Sequence, residues 1–128
     1  MFDIKIVREK ISMKETNHRA VIHKDLASGR WATLSPMEQL GNIGSEVGRA
    51  LRRKKENDVH AETLAVYRAL DLIDLTIADE KWRTRLKELL RMREVLCDYF
   101  FGDNTFHITE EILQKEFLYY GIAARAQK

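Results

Sequence analysis

Apolar residues recur at helical spacing through most of the chain, beginning just after Ser35. The first run would place several apolar side chains on one side of a helix: Met37, Leu40, Ile43, Val47, Ala50 and Leu51. The run opens with Ser35-Pro36-Met37-Glu38, an order typical of a capping box with proline at the first helical position. The pattern therefore predicts a first helix over residues 35–55.

Further runs with the same period follow, separated by short polar breaks. They predict helices over residues 58–78, 80–101 and 109–125. Short connections make consecutive helices antiparallel neighbours. We therefore expect an all-α fold, an up-and-down four-helix bundle over residues 35–128.

Residues 1–34 carry a different pattern and are interpreted as a short N-terminal extension. Phe2, Ile4 and Ile6 alternate with polar residues, which is typical of a short strand or an extended arm. Residues 17–28 predict a short helix, because apolar residues share one side and a glycine follows.

The composition agrees with a helical domain and limits the function classes. Of 128 residues, 45% are hydrophobic and 33% are charged, with one proline and six glycines. So few turn-forming residues disfavour a β-sandwich or barrel. The net charge of +2 does not indicate nucleic-acid binding, which would need a local basic patch.

The cellular setting is constrained by the cysteine count and the N-terminus. The single cysteine, Cys97, excludes a disulfide framework and favours a reducing, cytoplasmic environment. Charged residues among the first apolar ones argue against a signal peptide, and no apolar run approaches the roughly 18 residues of a membrane span. We expect no membrane association.

Glycines lie on one stripe of the first predicted helix, at Gly41, Gly44 and Gly48. A glycine inside a helix costs about 1 kcal/mol relative to alanine, so the stripe needs a reason. Either another helix backbone packs closely there, or the stripe forms a groove for a ligand or a partner helix.

Arg93 falls at the centre of the apolar face of the third predicted helix. An unpaired charge there would cost several kcal/mol, so we expect a buried ion pair with Asp71, Asp74 or Glu46. The alternative is a ligand or anion site in which Arg93 acts with Asp71, Asp74 and the neighbouring Tyr67.

A metal site is not expected. Asp71 and Asp74 share a helix face, but a di-metal bundle uses Glu-x-x-His motifs, and residues 35–128 contain none. No catalytic residue is assigned and no cofactor is expected, since the histidines are scattered and the helical glycines do not form a phosphate loop.

A basic run ends the first predicted helix. It comprises Arg49, Arg52, Arg53, Lys54 and Lys55. Cations are favoured at a helix C-terminus, so a solvated terminus explains the run. The alternative is a nucleic-acid patch that contacts the phosphate backbone, which Glu56 and Asp58 would weaken.

Three stretches carry a family resemblance: SPMEQLGNIGSEVGRAL, YRALDLIDLTIAD and RLKELLRMREVLCDYFFGDN. They resemble a family of uncharacterised prokaryotic helical proteins over residues 23–124, a resemblance that implies no activity. The architecture is distantly similar to HEPN and nucleotidyltransferase substrate-binding helical domains. HEPN ribonucleases carry an arginine followed a few residues later by a histidine, whereas after Arg93 the next histidine is His107.

Two functions follow from these observations. The first is a non-enzymatic helical interaction module that self-associates, as a homodimer, or binds a partner protein. It rests on a second helix that is apolar on two faces, on the glycine stripe, and on aromatic residues at the helix ends. The alternative is a HEPN-like RNA- or nucleotide-binding protein, or a ribonuclease, resting on Arg93, His107 and the basic run.

Overall fold

The computed structural model describes residues 29–117 and shows an all-α fold of four helices packed against each other. Helix α1 spans Pro36–Lys55, α2 spans Val59–Ile77 and α3 spans Leu86–Phe101. Helix α4 begins at residue 110 and is described as far as residue 117. Short 3-10 helices, Trp31–Thr33 and Glu80–Arg85, precede α1 and α3. Residues 29–117 contain no strand.

Parts of the predicted architecture fall outside the described residues. These are the arm or strand at the start of the chain, the short helix over residues 17–28, and the end of the fourth helix at residue 125.

The start of α1 has the capping box that the sequence predicts. The Ser35 side chain accepts a hydrogen bond from the backbone N–H of Glu38 at 3.2 Å. In return, the Glu38 carboxylate accepts from the backbone N–H of Ser35 at 3.1 Å. Of the six predicted apolar positions, all but the partly buried Met37 are buried in the core.

Specific contacts fix the direction of each helix. Trp31, just before α1, bonds Thr76 near the end of α2, so α1 and α2 are antiparallel. Helices α2 and α3 are antiparallel because Asp74 contacts Arg93 while Tyr67 lies beside Phe101.

Helix α4 runs antiparallel to α1. Lys55 at the end of α1 pairs with Glu110 at the start of α4, with 2.9 Å between Nζ and Oε1. Further along α4, Phe117 packs against Gly44 in the middle of α1. These contacts confirm the up-and-down order.

The third predicted helix is divided, which corrects the single helix over residues 80–101. The side chain of Asp79 caps the backbone N–H of Lys81, and the chain then forms the 3-10 helix Glu80–Arg85. The backbone leaves helical geometry at Arg85, and α3 begins at Leu86. This tighter segment directs the indole of Trp82 into the core, where it bonds Gln39.

Helix α2 is buried on opposite sides, as its apolar pattern predicts. Leu70 and Ile73 are buried on one side, and Leu72 is buried on the other. Val59, by contrast, is 70% exposed because it is the first residue of the helix.

No helix within residues 29–117 is long and apolar enough to cross a lipid bilayer. Cys97 carries a buried thiol on α3, and its Sγ accepts a hydrogen bond from Arg93 Nη1 at 3.6 Å.

Candidate functional site

An apolar groove runs along the surface between α3 and α4, with Leu40 of α1 in its floor. Its cavity volume is about 450 Å³. The apolar lining includes Leu40, Trp82, Leu89, Met92, Leu113 and Phe117. A volume of this size is in the range that holds a side chain or a small ligand. We call this feature the α3–α4 groove.

Two structural features set the walls of the groove. A Cβ built on Gly44 would lie 2.9 Å from the carbonyl oxygen of Phe117, so glycine permits the backbone of α4 to lie directly on α1. The loop between α3 and α4 is fixed by Asp98, whose carboxylate accepts from the backbone N–H groups of Thr105 and Phe106 at 2.9 and 3.1 Å. This loop carries Ile108 to one end of the groove.

Charged side chains line the mouth of the groove. Arg85 is paired with Glu88 at 2.7 Å and lies over the ring of Trp82 at 4.8 Å. Arg91 extends from α3, with its guanidinium 5.2 Å from the ring centre of Phe106. Glu116 extends from α4 on the opposite wall.

An apolar side chain also lies at the mouth. Ile112 of α4 lines the groove and is 48% exposed. Exposed apolar residues that adjoin an apolar concavity are typical of interaction surfaces.

Arg93 does not line this groove and is held in an ion pair with Asp74. Its Nε donates to Asp74 Oδ1 at 2.8 Å, and its Nη2 donates to Asp74 Oδ2 at 3.0 Å. The side chains are 15% and 23% exposed. The predicted ion pair is therefore confirmed, with Asp74 as the carboxylate, in the bidentate geometry that strengthens arginine–carboxylate pairs.

The other residues proposed to act with Arg93 lie on α2 or on α1. Asp71 is buried one turn before Asp74, and Tyr67 is buried with its ring 5.8 Å from that of Phe101. Glu46, a third candidate partner, instead accepts from Arg49 at 3.1 Å on its own helix. Asp71, Asp74 and Tyr67 thus lie on successive turns of α2, and their binding of an anion or ligand together with Arg93 stays a prediction.

No group of three or more histidine, cysteine, aspartate or glutamate side chains within residues 29–117 is arranged to hold a metal ion.

The basic run at the end of α1 is largely engaged by the protein's own side chains. Arg49 forms an ion pair with Glu46, and Arg53 forms one with Glu56. Lys55 bridges Glu110. Arg52 is exposed, and its Nη1 lies near Gly48. The run is therefore dispersed around the helix end, and its contact with nucleic acid stays a prediction.

Lys54 belongs to a mixed cluster at this end of the bundle. Its Nζ lies 4.5 Å from the ring centre of Tyr99. Burial raises the pKa of Tyr99, and the nearby carboxylates of Glu110 and Glu62 raise it further. Burial also raises the pKa of Glu62, although the charge of Lys54 opposes that effect. The cluster joins α1, α2, α3 and α4.

Sequence reasoning missed the most buried polar residue of α1, Gln39. Its side-chain amide donates to the carbonyl oxygen of Trp31 and to Asp79, both at 2.9 Å. Its carbonyl accepts from the indole N–H of Trp82 at 2.6 Å. One signal was present in the sequence, because Gln39 lies one turn before Ile43 on the buried side of the helix.

The sequence did not predict the α3–α4 groove either, although Gly44, on which α4 packs, was identified as part of the glycine stripe. The stripe predicted a close helix contact, and Gly44 makes one with Phe117. At Gly48, by contrast, the nearest atom to an added Cβ within the described part of the chain is Arg52 Nη1 at 3.7 Å. Of these two glycines, Gly44 therefore lies in a close helix contact and Gly48 does not.

Comparison of the chain with protein-family models, with curated proteins and with solved structures finds no match.

Proposed function

We propose that this protein is a non-enzymatic helical interaction module that self-associates through its surface. The observation that carries the proposal is the α3–α4 groove of about 450 Å³, which has an apolar floor and a half-exposed Ile112 at its mouth. Burial of apolar surface is the main favourable contribution to protein association. A partner that covers the groove would remove these side chains from water.

A second copy of the chain is the partner that we expect. Most soluble oligomers are homo-oligomers, and two-fold dimers are the commonest of them. The reducing cytosol is the compartment that we propose, because it keeps the buried thiol of Cys97 reduced.

Concentration-dependent mass measurement tests self-association directly. Sedimentation or light scattering across the micromolar range should show the mass rising toward twice that of the chain. A mass that stays at that of one chain up to the highest concentration would refute self-association.

The alternative, a HEPN-like protein that binds RNA or a nucleotide, rests on the resemblance and on the positive charges. It has less support from geometry, because the guanidinium of Arg93 already makes two bonds to Asp74. Lys55 and Arg53 are likewise paired with carboxylates.

Binding to labelled single-stranded RNA at low and high salt separates the two proposals. RNA binding that falls steeply with salt would favour the alternative, because salt displaces phosphate contacts. The matched variants are Arg52→Glu, which reverses an exposed charge in the basic run, and Lys115→Glu, which reverses one on α4. An RNA site on the run would be weakened by the first variant alone.

A further inference from the structure

We propose that two copies pair face to face across the α3–α4 groove, with Arg91 of each copy bound to Glu116 of the other. The half-exposed Ile112 of each copy then lies against the α3 wall of its partner. This inference rests on the self-association proposed above and specifies the surface that mediates it.

The charges at the mouth of the groove provide the first argument. Arg85, at the end of the 3-10 helix before α3, pairs with Glu88 of α3, so these two charges neutralise each other. Arg91 and Glu116 are both exposed, and among residues 29–117 neither has an oppositely charged side chain within salt-bridge distance. The mouth therefore presents one cation and one anion that remain available to a partner.

The placement of these two charges is self-complementary. Arg91 lies on the α3 wall and Glu116 lies on the α4 wall. In a two-fold dimer the same patch is used by both copies, so each contact occurs twice. An axis that runs along the groove sets the α3 wall of one copy against the α4 wall of the other. Arg91 then faces the Glu116 of the partner on both sides of the groove.

The apolar residues fit the same arrangement. Ile112 lies on the α4 wall, at the mouth rather than in the floor. The same two-fold rotation sets it against the partner's α3 wall, whose groove-lining residues include Leu89 and Met92. Burial of an apolar anchor inside a rim of charges is the usual anatomy of a protein interface.

The balance of charge favours a second copy over a polyanion or a strongly charged peptide. Arg85 and Arg91 are matched by Glu88 and Glu116 around the mouth. A site for a polyanion would carry an excess of positive charge. The stacking of Arg91 over Phe106 also holds its charge in a fixed place at little cost in side-chain entropy.

Charge reversal tests the pairing. Arg91→Glu and Glu116→Arg should each raise the dissociation constant of the dimer by about tenfold or more, because each introduces two like-charge contacts. The double variant Arg91→Glu with Glu116→Arg restores both contacts with the charges exchanged. Its dissociation constant should return to within about twofold of the wild-type value.

Matched controls come from the opposite side of α3. Lys87 is exposed and Leu90 is 45% exposed, and neither lines the groove. Lys87→Glu should leave dimerisation unchanged, unlike Arg91→Glu. Leu90→Ser should also leave it unchanged, whereas Ile112→Ser should weaken it. Circular dichroism of each variant verifies that the fold is retained.

The possible outcomes separate this inference from the proposed function. If the wild type dimerises and the single reversals leave its dissociation constant unchanged, the pairing across the groove is wrong while self-association stands. If the double variant dimerises no better than the single variants, the contact between Arg91 and Glu116 is wrong. If the wild type is monomeric throughout, both proposals are overturned.

Discussion

The indole N–H of Trp82 donates a hydrogen bond of 2.6 Å to the side-chain carbonyl of Gln39, and both side chains are buried. The same glutamine donates to the carbonyl oxygen of Trp31 and to Asp79. The indole N–H of Trp31 in turn donates to Thr76 at 3.0 Å. One amide thus connects α1, the segment before it and the 3-10 helix before α3, and it supports the Trp82 side chain that lines the α3–α4 groove.

Replacement of Gln39 by methionine should destabilise the protein. The substitution keeps the length of the side chain but removes all its hydrogen bonds, so the buried indole N–H of Trp82 loses its acceptor. An orphaned buried polar group costs roughly 1–3 kcal/mol, so we expect the free energy of unfolding to fall by about 3 kcal/mol. Urea denaturation measures the loss.

Gln114 supplies the control for this substitution. It is exposed on α4, where it bonds Glu110 one turn earlier. Gln114→Met should change the free energy of unfolding by less than about 0.5 kcal/mol, as is usual for surface substitutions. Equal effects of the two variants would show that the buried network of Gln39 does not stabilise the fold.

Replacement of Gly44 by leucine should destabilise the protein through overpacking. Even the Cβ would lie 2.9 Å from the carbonyl oxygen of Phe117 and 3.2 Å from its Cβ, so the backbone of α4 must move. Overpacking of this kind costs roughly 1–3 kcal/mol. Thermal melting measures the effect.

Gly48 in the same helix is the natural comparison. Within the described residues, the nearest atom to a Cβ built there is Arg52 Nη1 at 3.7 Å, which is an ordinary contact. Gly48→Ala should therefore stabilise the helix by up to about 1 kcal/mol, through helix propensity. A Gly44→Leu variant that melts like the wild type would contradict the close packing of α1 on α4.

Removal of both charges of the Arg93–Asp74 pair should destabilise the protein less than removal of the arginine alone. Arg93→Ala leaves the largely buried carboxylate of Asp74 without its bidentate donor and should cost about 3 kcal/mol. The double variant Arg93→Met with Asp74→Leu removes both charges and should be the more stable of the two, because well-packed apolar residues replace a buried pair with little loss.

Arg53 and Glu56 provide a surface pair for comparison. Their side chains are 43% and 54% exposed, so Arg53→Ala should cost less than about 1 kcal/mol. Guanidinium denaturation measures the free energy of unfolding of both variants. If Arg93→Ala lowers it no more than Arg53→Ala does, the Arg93–Asp74 pair stabilises the fold no more than a solvent-exposed pair.

Local signals made most of the fold predictable from the sequence. The capping serine at 35 acts within a few residues and makes its expected bond to the backbone N–H of Glu38. The side chains of Asp58 and Thr109 cap α2 and α4 through equally local bonds. Helical periodicity then identified the buried side of α1 and α2, because burial follows the same period. The position of Arg93 on an apolar face was enough to predict a carboxylate partner.

The groove depends on contacts between distant residues, so local signals did not predict it. Asp98 is fully buried and holds the loop through Thr105 and Phe106, yet its sequence context is that of any helical aspartate. The 3-10 helix before α3 carries Trp82, whose indole N–H bonds Gln39, 43 residues earlier in the chain. Such long-range hydrogen bonds leave no periodic pattern in the sequence.

Stability in acid should depend on Asp79. Burial alone would raise the pKa of Asp79, but hydrogen bonds from Lys81 and Gln39 outweigh it and hold the pKa below its ordinary value. The unfolded chain therefore takes up a proton at higher pH than the folded protein does. The stabilisation is fully present above about pH 4 and is lost as the pH falls through the lowered pKa. Asp79→Asn should accordingly unfold at lower denaturant than the wild type at pH 7, and the difference should narrow below about pH 4.

Glu62 should show the opposite dependence of stability on pH, because its pKa is raised whereas that of Asp79 is lowered. Burial raises the pKa of Glu62, with Lys54 opposing, so its ionised form is less favourable in the folded protein than in the unfolded chain. Its contribution to stability is present at low pH and is lost as the pH rises through the raised pKa. Glu62→Gln should therefore be more stable than the wild type at pH 7 and indistinguishable from it in acid. Urea denaturation from neutral pH to about pH 3 measures the free energy of unfolding of both variants. If the difference in this free energy between Asp79→Asn and the wild type does not change with pH, Lys81 and Gln39 do not hold Asp79 ionised.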